Sequence, residues 1–392
     1  MASSAMRPAQ ISLAARAYGG LLATGLYDGQ MRLCASTLIS QLWSPLHMSE
    51  TTDRTTAKRR SATIIDVAKA ANVAVGTVSR YLNGQTIRRS NREQIETAIH
   101  DLGYRRNAAA ASIRTDLTHM IGFLVPTFDE FHARMLEHLA RSVRQTGRAL
   151  ITYCHGGDPR IVAEALDFFA AQRVDALVMD GTAEVYHRVD DLITHDVPII
   201  FYNNDVKGLA ADRVMVENQK ASYRVVKHLI DLGHQRIGML TGNPANSSAV
   251  ERLLGYEQAL TEHGLPIEPV LTVRGNWVYE GGYQATKRLM QLETPPTAIF
   301  AANYNMAMGA LGWFKESGLR VPNDISLVSF DDVDIFRLFD AGITAVAQPV
   351  ARIADTITDI LVERLADPSG SHNRTTVLEC DIILRGSTRR LT

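Results

Sequence analysis

Cysteine is scarce in this 392-residue chain, which holds only Cys34, Cys154 and Cys380. No two of them form a CxxC pair, which excludes a zinc knuckle and a disulfide framework. They read as small thiols of a reducing cytoplasm. No apolar run reaches the roughly 18 residues of a membrane span, so no membrane association is expected. The dinucleotide fingerprint GxGxxG, the phosphate loop GxxxxGK(S/T), the GxSxG elbow and the HExxH pair are also missing. Their absence removes the legible signatures of cofactor, hydrolase and zinc-peptidase chemistry, and the chain reads as a non-enzyme without cofactor or metal. Histidines such as His132, His155, His228 and His234 are scattered over helix ends and loops, where surface or capping roles are expected. An excess of one charge is lacking too, with 41 Lys and Arg against 42 Asp and Glu. Taken whole, that balance argues against a nucleic-acid binder.

The first 47 residues have no clear periodicity. Arg16, Gly19, Gly20 and Gly25 interrupt the mildly apolar stretch Leu13 to Leu26, so it is no signal-peptide core. Met48 precedes the polar, basic run Ser49 to Arg60 and reads as the start of the protein. Residues 1–60 are expected to be a disordered extension.

Resolved along the chain, the charge is not balanced. Between Arg54 and Arg114 twelve basic residues face four acidic ones, a net +8 that leaves −9 for the remainder. Such a local excess is the footprint of a phosphate-backbone binder. Helical pattern accompanies it. Ile64 to Ala71 reads as a short helix with Thr63 as N-cap, and Asn72-Val73 as a turn. Val75 to Asn83 reads as a second helix, and Ser90-Asn91-Arg92-Glu93 as the capping box of a third that Gly103 closes. Two short helices at a steep angle, held by Val67, Ala71, Val73, Val78 and Leu82, make a helix-turn-helix.

Ile65-Asp66-Val67-Ala68, Thr77-Val78-Ser79-Arg80, Asn83, and Leu102-Gly103-Tyr104 followed by Asn107 resemble the headpiece of the lactose-repressor (LacI/GalR) family of bacterial regulators. The resemblance implies that Val75, Gly76 and Arg80 face bases, and Arg80 suits a guanine O6/N7 contact. It implies that Thr77, Ser79, Asn83 and Tyr104 hold phosphates, with Thr63 counted among the DNA-facing positions. Asn107 to Arg114 resembles the family's hinge helix, which orders on operator DNA; Asn107, Ala110 and Ile113 would face the minor groove. A plain alanine-rich linker is the alternative. Two departures stand out. Ala74 replaces a common Ser, so the second helix lacks a side-chain cap, and Arg88-Arg89 and Asn91 alter the start of the third.

From Met120 on, apolar runs alternate with amphipathic stretches, the mark of a doubly wound α/β fold. Strands are expected at Met120–Val125, Ala149–Cys154, Ala176–Met179, Pro198–Tyr202, Arg236–Thr241, Val270–Arg274, Ala298–Ala301 and Leu327–Ser329, with a last one from Val377 to Leu384. So many strands predict two similar lobes with a cleft. Arg252-Leu253-Leu254-Gly255-Tyr256, Val321-Pro322-Asn323-Asp324-Ile325-Ser326 and Phe330-Asp331-Asp332 resemble the same family's periplasmic-binding-protein-like core. That resemblance places Arg252, Asn303 and Asp331 in the cleft as effector ligands, with Trp277, Phe128 and Phe201 beside them. Each has a plainer alternative. Arg252 can pair with Glu251 or Glu257, and Asp331 or Asp332 can cap a helix starting at Val333. Trp277 and Phe201 can be packing residues. The family's Asn-Asp here is Asn303-Tyr304, which removes a charge near the cleft.

The expectation is therefore an all-α helix-turn-helix headpiece (61–106), a hinge (107–117) and a two-lobed doubly wound core (118–392). It describes a cytoplasmic homodimeric repressor of a palindromic operator. Its partners would be operator DNA and a small effector: a sugar, sugar acid or related metabolite. A transport binding protein would need a signal peptide and no basic head, and an α/β enzyme would need a catalytic set that is not legible.

Overall fold

Thr63 opens the first helix through a reciprocal box. Its hydroxyl accepts from the Asp66 amide, while Asp66 Oδ2 accepts from the Thr63 amide at 2.8 Å. The structure, a computed structural model, describes residues 62–105, 117–181, 186–367 and 373–391. The expected extension and nearly all of the hinge, with Asn107, Ala110 and Ile113, lie outside the described residues. By contacts the chain divides into two compact units, one ending at Arg105 and the other taking the rest.

The first unit holds α1 (Ile64–Ala70), α2 (Val75–Leu82) and α3 (Arg89–Leu102). Val67, Ala68, Ala71, Val78, Ile95 and Ala98 form its small core. Ala74 leaves α2 without a side-chain cap, as its chemistry requires. The capping box expected at Ser90 does not form. The helix begins two residues earlier, at Arg89 after the N-cap Arg88, and Arg89 and Glu93 pair across one turn instead.

The second unit holds two lobes. The first has β1 (Met120–Val125), α4 (Glu130–Gln145), β2 (Ala149–Cys154), α5 (Pro159–Gln172), β3 (Ala176–Asp180), α6 (Tyr186–Thr194), β4 (Ile199–Tyr202) and β5 (Asp212–Val216). The chain then crosses to α7 (Asn218–Asp231), β6 (Ile237–Thr241), α8 (Ser247–Glu262), β7 (Thr272–Arg274), α9 (Tyr279–Met290), β8 (Ala298–Ala301), α10 (Tyr304–Ser317), β9 (Ser326–Phe330) and β10 (Thr344–Ala347). It returns through α11 (Val350–Ala366) to β11 (Thr375–Leu378), and crosses a last time to β12 (Asp381–Ile383). One sheet runs β11-β5-β4-β3-β1-β2 and the other β12-β10-β9-β8-β6-β7, parallel except for the β10–β12 pair. Both place their order reversal beside the first strand, the switch point where ligands of doubly wound sheets bind.

The single strand expected over Val377 to Leu384 is in fact two, one in each sheet. The break is the third crossing. There the Cys380 amide donates to Glu217 Oε1 at 3.3 Å, and Arg224 donates to the Cys380 carbonyl at 2.7 Å. Two strands escaped the sequence reading, β5 and β10. β5 begins on a charged pair, Asp212-Arg213, that looks unlike a buried strand. Asp212 is nevertheless fully buried, because Arg364 of α11 grips it through two hydrogen bonds of 2.7 and 3.0 Å and the Arg374 amide adds a third at 2.9 Å. Replacing Arg364 by Met strands that carboxylate, so the expected loss in urea unfolding is about 3–5 kcal/mol. A loss below about 1 kcal/mol would contradict the role given to the pair.

Candidate functional site

In the first unit, α2 turns two faces apart. Val78 points into the core, while Val75, Gly76 and Arg80 are exposed one turn apart, with Ser79 half-buried beside them. An apolar residue 42% exposed, as Val75 is, next to a glycine whose missing side chain leaves open space, is a surface shaped for close approach. Among the described residues Arg80 reaches back only to the Gly76 carbonyl, at 3.4 Å, so its guanidinium stays available. Thr77 is half-buried, Asn83 is the exposed C-cap residue of α2, and Tyr104 packs half-buried against the helical core. The Thr63 hydroxyl is engaged in its capping box.

Between the lobes lies a cavity of about 680 Å³, lined from the carboxyl ends of both sheets. Of the six residues expected there, Arg252, Trp277, Asn303 and Asp331 line it. Phe128 and Phe201 do not. Phe201 is fully buried in the core of the first lobe, because its place in β4 points it into the sheet packing, and Phe128 projects into solvent ahead of α4.

Arg252 is 2% exposed yet pairs with neither Glu251 nor Glu257. Its Nε donates to Asn218 Oδ1 at 2.9 Å and its Nη1 to the Ala302 carbonyl at 2.6 Å, and its guanidinium lies 3.6 Å from the centre of the Phe330 ring. Burial lowers its pKa from the usual guanidinium value, opposed by the charge of Asp331. Asp331 does not cap a helix starting at Val333, where Val333 itself precedes a short turn of 3-10 helix. It sits at φ +72° and accepts from Gln348 at 2.6 Å, and burial raises its pKa despite the nearby Arg252 charge. Asn303 is the N-cap of α10 and also donates to the Trp277 carbonyl at 3.0 Å. Trp277 follows Asn276 in a left-handed turn, φ +69° and +53°, which a bulky residue adopts only under constraint. That turn lays the indole across Gly242, where a Cβ would fall 2.0 Å from the ring, and lets Nε1 donate to Asn246 at 2.9 Å.

Residues that the sequence reading missed form the opposite wall. His132, expected in a surface or capping role, is 6% exposed, with Nδ1 2.7 Å from Asp129 Oδ1 and Nε2 3.7 Å from Asp180 Oδ2. Burial alone would lower its pKa, but the hydrogen bond to Asp129 and the negative charges of Asp129 and Asp180 outweigh it and push it up to about 9. His155 and His234 are buried too. The signal was there in part, since Asp129 three residues before His132 is an N-cap spacing, and Asp129 does accept from the His132 amide at 3.0 Å. Tyr304 does more than delete a charge. Its hydroxyl accepts from the Glu130 amide of the other lobe at 2.8 Å, and burial, then Asp129, pushes its pKa up to about 12.

Because the folded imidazole titrates above its ordinary 6.5, the stability it contributes is complete below about pH 6.5 and is lost as pH rises through about 9. The unfolding midpoint should therefore fall over that window, and His132→Gln should flatten the fall. A His132 midpoint at or below 6.5 in an NMR titration would contradict the cluster's geometry.

Comparison with known proteins fits both sites into one lineage. Residues 63–107 match the model "Bacterial regulatory proteins, lacI family", and residues 226–388 match a periplasmic binding protein-like domain. The ribose operon repressor of Haemophilus influenzae is 30% identical over 328 residues, 83% of this chain and 98% of the relative. A crystal structure of the lac repressor dimer bound to operator and the anti-inducer ONPF superposes with a TM-score of 0.75 at 26% identity, covering 84% of this chain and all of that one. A CelR–cellobiose complex superposes at 0.64 with 25% identity, covering 83% and 99%. With the reading helices matched by the family model and a full-length relative at this identity, the chain belongs to the lacI family of bacterial regulatory proteins and is a DNA-binding transcriptional regulator.

Proposed function

We propose that the protein is a cytoplasmic, homodimeric repressor, not an enzyme, that binds a palindromic operator with an affinity set by a small sugar-like effector in the cleft. The exposed face of α2 carries the reading: Val75, Gly76 and Arg80 stand clear of the core on a strongly basic segment. Residues 61–106 serve as the headpiece, 107–117 as the hinge that orders on DNA, and 118–392 as the sensor. Arg80 reads a guanine, Val75 packs on a thymine methyl, and Thr77, Ser79, Asn83 and Tyr104 position the module on phosphates. Asn107, Ala110 and Ile113 enter the minor groove, a role resting on their sequence. Symmetry of the dimer matches symmetry of the operator.

In the cleft, Arg252 and Asp331 present a donor and an acceptor, and the Trp277 ring offers an apolar face, which together suit a small polyhydroxylated molecule. Three chain crossings link the lobes, so closure around an effector changes the angle between them and thereby the spacing of the paired hinges. No helix among the described residues is long and apolar enough to cross a membrane. The test is Arg80→Ala assayed against every single-base variant of the preferred site. Discrimination should relax by about 1–3 kcal/mol at one base pair in each half-site. Uniform weakening across all sequences would rule out a base-reading Arg80.

A further inference from the structure

The first turn of α4 is completed by the other lobe. A helix leaves its leading amides without intrahelical partners. In α4 the Asp129 side chain takes one of them, from His132, at 3.0 Å. The Glu130 amide goes instead to the Tyr304 hydroxyl of the second lobe, at 2.8 Å. Further bonds surround it. Asn305, next in α10, donates to Asp129 Oδ2 at 3.3 Å, and Glu130 Oε1 accepts from the Asp334 amide at 3.0 Å. Arg134, one turn further along α4, donates to the Asp332 carbonyl at 3.3 Å. The start of α4 is thus seated on the start of α10 and on the segment that follows β9. Tyr304 also faces the cleft through its backbone. It is only 9% exposed and does not line the cavity, although Asn303 and Asn305 on either side of it do. Asp331, which does line it, has its pKa raised by burial, and the Tyr304 amide is among the groups that oppose that rise. One residue therefore meets a cleft carboxylate with its main chain and the first lobe with its hydroxyl.

We propose, resting on the effector-cleft reading above, that Tyr304 is a positioning residue that carries a change at Asp331 across to α4 without touching the effector. A ligand that bonds Asp331 shifts that carboxylate or its charge, and the Tyr304 amide at the head of α10 responds. The phenol moves with its backbone, and the Glu130 amide keeps its partner only while the lobes hold their present angle. α4 follows β1, the first strand after the hinge, so a shift of α4 reaches the part of the lobe nearest the hinge in the chain. A carboxylate at position 304 would add a negative charge beside Asp129 and Asp331, whereas the phenol accepts the same bond uncharged.

Hydrogen exchange of the full chain, read by mass spectrometry, tests the joint without any ligand. In Tyr304→Phe the segment carrying the Glu130 amide should exchange about tenfold faster, the scale of one lost hydrogen bond, while α8 and α9 keep their rates. Unchanged exchange at Glu130 would overturn the inference. Coupling is then measured on the duplex that the wild type selects from a random pool, with D-ribose, D-glucose, cellobiose and D-glucuronate as probes. For a probe that alters operator affinity, calorimetric binding to Tyr304→Phe should stay within about threefold of wild type, while the fold-change it causes at the operator shrinks by about fivefold or more. Melting curves identify any variant that fails to fold, and Glu130→Ala, which removes the bond to Asp334, should blunt the response in the same way. A full response in folded Tyr304→Phe would overturn the inference and leave the effector cleft standing. So would a loss of probe binding as large as the loss of response, which would make Tyr304 a ligand contact. If none of the probes alters operator affinity in the wild type, the effector reading fails and the inference with it.

Discussion

A buried guanidinium organises the core. Arg252 is sealed from water, and a charge in that position is tolerable only where its surroundings supply hydrogen bonds and opposite charge. Asn218, just past the first crossing, supplies one bond, and the Ala302 carbonyl at the end of β8 supplies another. Phe330, at the end of β9, supplies a ring face, and the next residue, Asp331, a carboxylate. One side chain thus ties together a crossing and two strand ends of the second lobe. Asn218 in turn donates to Glu251 beside Arg252, and Glu217 holds the third crossing. The polar network of the cleft wall is continuous with that of the joints between lobes.

The first lobe answers with a buried charge cluster of its own, Asp129, His132 and Asp180. Its members come from the N-cap and first turn of α4, which follows β1, and from the last residue of β3, the two strands that flank the switch point. The equivalent turns of the second lobe supply Asn246 and Asn303. The Asp129 and Asn303 side chains that cap α4 and α10 therefore also line the cleft, because the amino ends of these helices open on it. Direct contacts join the two walls. Asn204 accepts from the Ser248 amide and hydroxyl at 3.0 and 2.7 Å, and the Tyr304 hydroxyl accepts from Glu130 at 2.8 Å. Tyr304 takes the place of a common acid of the family, and beside Asp129 a phenol binds the opposite lobe without adding a second negative charge.

How much of this was legible in the sequence depended on how local the physics was. The Thr63–Asp66 box, the uncapped start of α2 and most strand positions follow from short-range chemistry, and they were readable. Four of the six expected cleft residues line the cavity. What stayed hidden was set by distant partners. Asp212 looks wrong for a buried strand until Arg364, far along the chain, is brought to it. The stretch from Val377 to Leu384 looks like one strand until Cys380 is seen bonded across the crossing to Glu217. His132 has no sequence neighbour that reveals Asp180, and Phe201 resembles a wall of the cleft only if the direction of its strand face is unknown. The net charge of −1 hid a basic head for a similar reason: a sum discards position.

The central claim is that this basic head reads a symmetric DNA site as part of a dimer. Selection of duplexes from a random pool by the purified full chain at moderate salt, followed by determination of the stoichiometry on the enriched sequence, tests it most directly. The account predicts an inverted repeat bound by two chains. Recovery of no preferred sequence, or of an asymmetric site bound by one chain, would contradict it.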